Sequence, residues 1–169
     1  MGAATILAGI SRLRALVVGD ICLDVWCRYD PSASDPSRET GIPRIAVVQT
    51  EVTPGAAGTV ANNLKSLGAS EVAVLGVMGE DGFGFELRRA VDRNSISSHH
   101  VVTASSMPTF TYTKLINTET GEEDLPRVDF IYNRPVPAPV EETIAVTLRR
   151  IWNQFDVILV SDQAETAVG

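Results

Sequence analysis

Three short apolar runs, residues 13–18, 72–77 and 156–161, punctuate this chain, rich in β-branched residues and with little alternation. Runs of that kind suit strands covered on both faces, as in a parallel sheet. Helical stripes follow or separate them. Val60, Leu64 and Leu67 line one face and end at Gly68, and Phe83, Leu87 and Val91 line a second behind Asp81, a suitable N-cap. A third helix carries Val140, Ile144, Leu148, Ile151 and Phe155, with Glu141 and Glu142 at its start and Arg149 and Arg150 near its end, as the helix dipole favours. This succession predicts the α/β class, with helices wrapped on a parallel sheet.

Other segments break the rhythm. Residues 29–43 are polar, carry Pro31, Pro36 and Pro43, and read as an extended excursion. Residues 44–52 read as a strand ended by Pro54-Gly55. In 109–116, Phe110, Tyr112, Lys114 and Ile116 alternate with Thr111, Thr113 and Leu115. Val128, Phe130 and Tyr132 alternate in the same way with Arg127, Asp129 and Ile131, after an acidic turn at 120–124. Alternation marks antiparallel strands with one wet face, so a small antiparallel sheet is expected beside the parallel layer. The run at 156–161 has the look of a central strand, yet the chain stops eight residues later, at Gly169. Continuing a parallel sheet takes a crossover of about a dozen residues or more, so this strand is either the sheet's last or the fold is cut.

Composition narrows the function. A chain of 169 residues is the size of one α/β domain, and 44% hydrophobic with 21% charged residues is that of a globular protein. Fourteen basic against twenty-one acidic residues give a net charge of −7, with no basic cluster, which excludes nucleic acid as an expected partner. Residues 3–10 are apolar but far short of a membrane span, and Arg12 and Arg14 follow them, the reverse of a secretory signal. Cys22 and Cys27 lack metal or redox spacing and read as reduced thiols, which points to the cytoplasm. His99 and His100 read as surface residues, and no metal ligand is assigned.

General phosphate-loop, zinc-protease and nucleophile-elbow signatures are absent. Three local constellations remain. Residues 17–24 place Asp20 and Asp24 after the first strand, where open α/β sheets bind small molecules. Carboxylates there suit the hydroxyls of a polyol, or else Asp20 serves a local turn and Asp24 is solvated. The small-residue turn at 54–59 allows close approach either of a ligand or of a helix on the sheet. The glycines of 79–84 flank Asp81 and read as a cap with tight turns.

In order, these segments resemble the ribokinase-like (PfkB) sugar kinases, most of all their heptose-7-phosphate kinase branch. The resemblance rests on Val-Val-Gly-Asp-x-x-Leu-Asp at 17–24, Pro-Gly through Ser-Leu-Gly-Ala at 54–69 and Gly-x-Asp-x-x-Gly at 79–84. Further on it includes Pro-Thr-x-Thr-x-x-Lys-Leu at 108–115 and Arg-Val-Asp-Phe at 127–130. It covers nearly the whole chain and corresponds to the N-terminal half of the family. It implies a three-layer α/β/α sandwich, here partial, with a β-sheet lid from about 43–53 and 108–132, within one domain portion spanning 1–169. It implies transfer of the γ-phosphoryl group of ATP, with Mg2+, to a sugar or sugar phosphate, and permits a homodimer through the lid. The implied substrate residues are Asp20, Asp24, Gly55 at the lid hinge, Thr59, Lys114, Arg127 and Asp162. The implied catalytic base belongs to an Asp-x-x-Gly-Ala-Gly-Asp segment, which does not occur before Gly169, so the chain is expected to be inactive alone. A non-catalytic sugar-binding module, or a subunit completed by another chain, is the alternative. The sequence departs from the family's Gly-Gly hinge and following Asn with Gly55-Ala56 and Thr59. It departs from the heptose branch's Tyr-x-Lys-Gly with Gln163-Ala164-Glu165-Thr166.

Overall fold

Residues 15–18 of the first strand are all apolar because helices cover both of its faces. In a computed structural model describing residues 2–163, β1 (Arg14–Gly19) lies between β4 (Glu71–Leu75) and β9 (Val157–Ser161), parallel to both. Residues 164–166 of the last departure noted above lie outside the described residues. Leu16 packs with Ala73, Leu75 and Ile151 under α4 (Ala138–Ile151), whose Ile144 and Leu148 join them. Val17 points the other way, into a cluster with Ala57 and Ala61 of α2 (Ala57–Ser66) and Leu87 and Val91 of α3 (Gly82–Arg93). That gives the expected three layers. An N-terminal helix, α1 (Ala3–Ile10), adds Ile10 to the same cluster.

Four boundaries differ from expectation. The run at 72–77 is two strands, since the chain leaves the parallel sheet at Gly76 and β5 (Val77–Gly79) pairs with β6 (Val102–Ala104). Val60 and Leu64 of the expected stripe pack on the core beside Ala57 and Ala61, but Leu67 is the C-cap residue of α2 and is 49% exposed. The strand at 156–161 is an edge among the described residues, and Val160 is 78% exposed. Finally, residues 21–29 form a strand, β2 (Ile21–Tyr29), so Asp24 lies inside a second strand instead of in a loop after the first.

The second sheet has the order β3-β2-β7-β8, with β3 at Val47–Ala56, β7 at Thr111–Asn117 and β8 at Val128–Phe130. The expected antiparallel pairs are β2–β3 and β7–β8, while the join between them, β2–β7, is parallel. β3 begins three residues later than the sequence suggests and runs through Pro54-Gly55. Proline is tolerated because β3 is an edge strand. The pleat sorts the side chains. Leu23, Val25, Cys27 and Leu115 enter the core, while Thr53, Asp24, Tyr112 and Asp129 form one cross-strand row on the opposite face.

The turn from β3 into α2 is strained. Ala56 has φ 51° and ψ −119°, a conformation suited to glycine. Such a residue costs about 1–3 kcal/mol. Ala56→Gly is therefore expected to stabilise the fold by about 1 kcal/mol, raising the thermal midpoint by about 2–4 °C in a calorimetric scan.

Candidate functional site

Asp20 is the only residue between β1 and β2. Its N–H donates to Ser161 O at 3.2 Å, its carbonyl accepts from Ala57 N at 2.8 Å, and its Oδ2 accepts from Gln163 N at 2.8 Å. These bonds join the end of β9, the start of α2 and the start of the second sheet at one point. A cavity of about 260 Å3 opens beside it, lined by Asp20, Cys22, Asp24, Thr59, Phe110 and Tyr112 among others.

Asp24 reaches this cavity from the fourth position of β2. Burial pushes its carboxyl pKa up, and the nearby charges of Lys114 and Arg127 offset only part of that rise. Gly55 lies directly across the strand pair from Cys22. A Cβ at Gly55 would fall 2.5 Å from Cys22 Sγ and 2.6 Å from Asp24 Oδ2, so only glycine leaves the Asp24 carboxylate its place. Thr59, in the first turn of α2, turns its hydroxyl back to Pro54 O at 3.3 Å.

Lys114 and Arg127 both rest on aromatic rings. Lys114 Nζ sits 4.0 Å from the centroid of Trp26, its direct neighbour across β2–β7. Arg127 lies 5.5 Å from the ring centroid of Tyr112 and pairs with Asp129 at 2.8 Å. The cation–π contacts hold the charges on the same face as Asp24 without neutralising them.

Asp20, Asp24 and Thr59 therefore share one cavity, with Gly55 leaving room for the Asp24 carboxylate and Lys114 and Arg127 close enough to act on it. Asp162 differs: it is exposed, and the next residue, Gln163, lines the cavity through the bond to Asp20. Ile131, Trp26 and Gln163 are site residues that sequence reasoning misses. Ile131 carries a usable signal in its alternation with neighbours, Trp26 lies in a strand whose alternation is blurred, and nothing local marks Gln163. Among the described residues no three of His, Cys, Asp and Glu gather as a metal-holding group.

Residues 13–142 match the pfkB family carbohydrate kinases. The chain belongs to that family. The chain is 31% identical to the D-beta-D-heptose 7-phosphate kinase of Bordetella bronchiseptica over 156 residues, covering 92% of this chain and 47% of that protein. It is 32% identical to the bifunctional protein HldE of Trichlorobacter lovleyi, over 90% of this chain and 30% of that one. In fold it is similar to a carbohydrate kinase from Agrobacterium tumefaciens (TM-score 0.54, 18% identity, 88% of this chain and 45% of that chain). It is similar also to Arabidopsis thaliana ribokinase complexed with ribose and ATP (TM-score 0.53, 15% identity, 88% and 45%). The chain thus spans about a third to a half of the length of these curated relatives.

The raised pKa of Asp24 carries a stability signature. A carboxyl whose folded pKa exceeds its unfolded value binds its proton more tightly in the folded state, so stability falls as pH rises through that window. At neutral pH the charged Asp24 therefore costs stability. Asp24→Asn is expected to raise stability at pH 7 by up to about 1 kcal/mol, after allowance for solvent screening, with the gain shrinking below about pH 4. Denaturant melts at both pH values check it.

Proposed function

We propose that this chain is the sugar-binding portion of an ATP-dependent carbohydrate kinase, one domain portion spanning residues 1–169, whose acceptor is a sugar or sugar phosphate. The observation that carries this reading is the Asp24 carboxylate, half-buried in a cavity, kept in place by Gly55 and facing two cations that stack on aromatic rings. Ionised carboxylates accept from paired hydroxyls, and here Asp24 and Asp20 would orient the acceptor while Thr59 adds a hydroxyl contact. Lys114 and Arg127 would meet a phosphate already on the substrate, and in this reading Asp162 stays at the rim. The relative named as a heptose 7-phosphate kinase supports a phosphorylated acceptor.

ATP supplies the γ-phosphoryl group in such a reaction, and Mg2+ neutralises its charge. The cavity beside Asp20 does not fit a polyphosphate, because two carboxylates line it. Its residues bind and orient the acceptor, and closing the lid would exclude water from the acceptor hydroxyl. The sequence holds no Asp-x-x-Gly-Ala-Gly-Asp segment to take the hydroxyl proton, so the 169 residues are expected to turn over no ATP with pentoses, hexoses or heptose phosphates. A cytoplasmic site accords with an ATP-dependent reaction. The open edge of β3 gives a second copy a place to pair through the lid.

Calorimetric titration with a panel of sugars and sugar phosphates tests the reading. One of them should bind, and Asp24→Ala should weaken it at least tenfold with the circular dichroism spectrum unchanged. Unchanged affinity in that variant would remove Asp24 from the site. Binding without turnover would also suit a sugar-binding module that catalyses nothing, which the completeness of the Asp20–Asp24 cavity favours as the second reading.

A further inference from the structure

The turn at 79–84 does more than cap a helix. Asp81 Oδ1 accepts from Gly84 N at 2.7 Å, which is the cap of α3. The same carboxylate also reaches 28 residues along the chain. Oδ2 accepts from Thr109 N at 2.8 Å, and Oδ1 accepts from Thr109 Oγ1 at 2.8 Å. Thr109 is fully buried, and its Oγ1 accepts in turn from Gly79 N at 2.9 Å. Burial opposes the charge on Asp81, but the bonds from Thr109 and Gly84 outweigh it and hold the carboxyl below its ordinary range.

Thr109 stands two residues before β7, and the residues just beyond it build the cavity wall. Phe110 accepts from Leu23 N at 2.9 Å through its carbonyl and lines the cavity with its ring. Thr111 is buried opposite Leu23, and Tyr112 lines the cavity again. A slip of one residue would exchange these two sets. Two ordinary restraints on register are weak here. β7 pairs parallel to β2 after a connection of some eighty residues, so no hairpin turn sets the alignment. Nor does hydropathy set it firmly, since the core-facing set begins with three threonines, Thr109, Thr111 and Thr113, while the opposite face holds Phe110, Tyr112 and Ile116.

We propose that Asp81 and Thr109 are positioning residues that clamp the register of β7 against β2 and so decide that Phe110 and Tyr112 face the cavity. The clamp itself stands on hydrogen-bond geometry, whereas its consequence for a sugar rests on the function proposed above. Two variants separate clamping from capping. Asp81→Asn keeps an oxygen for the Gly84 cap but presents an amide where Thr109 N–H needs an acceptor. Thr109→Val removes the hydroxyl and conserves the shape, and Thr109→Ser restores it.

The measurement is amide hydrogen exchange of the full chain without ligand, comparing the Leu23 amide, which is bonded to Phe110, with the Val17 amide in the core of β1. The clamp predicts that Asp81→Asn and Thr109→Val each lower protection at Leu23 at least tenfold more than at Val17, with Thr109→Ser near wild type. Equal losses at the two amides would mean a general structural role, and no loss at either would mean none. Either result overturns the proposal, and if one variant does not fold the other decides. Because no sugar is present, failure here leaves the binding reading untouched. Conversely, selective loss at Leu23 together with no sugar binding by the wild type would sink the binding reading alone.

Discussion

Asp20 is a single residue placed between strands of two different sheets, and its backbone and side chain are committed in three directions. The parallel layer ends on one side of it and the four-stranded sheet starts on the other, so the two sheets cannot drift apart without breaking bonds at that point. α2 is fixed there as well, through Ala57 N. The cavity is a consequence of this geometry. It is the wedge left where a sheet buried on both faces gives way to one whose second face carries Asp24, Trp26, Tyr112 and Lys114.

That second face explains why charge is tolerated at Asp24. The carboxylate loses hydration in the cavity, and Lys114 and Arg127 return part of the loss from a distance. Lys114 stacks on Trp26, and Arg127 stacks on Tyr112 while pairing with Asp129. The proposed function rests on this arrangement of a partly desolvated carboxylate beside two cations. The family to which the chain belongs acts on carbohydrates, and the geometry is consistent with that chemistry.

Much of this is legible in the residues. The β-branched runs mark β1 and β9 and the stripes mark α3 and α4, although only β1 is buried on both faces and β9 leaves Val160 exposed. The alternation at 110–116 places Phe110 and Tyr112 on a common face correctly, even though the parallel partner of that strand is out of reach of any local pattern. β2 escapes detection because residues 21–29 are buried on one face and only half-buried on the other, which blurs the alternation. Gly76, splitting one apolar run between two sheets, and Gln163, brought to Asp20 across 143 positions, depend on tertiary geometry that no window of sequence contains. Asp81 is recognisable locally as a cap, and its hold on Thr109 is invisible for the same reason.

Central to the proposed function is Asp24, a partly desolvated carboxylate that a sugar's hydroxyls would complete in that reading. A carbon-detected NMR titration of the Asp24 carboxyl, with and without a saturating sugar phosphate, addresses this most directly. The expected result is a midpoint above the ordinary aspartate value in the free protein, moving down when hydroxyl donors stabilise the charged form. A midpoint at the ordinary value that does not move on adding a ligand shown independently to bind would contradict it.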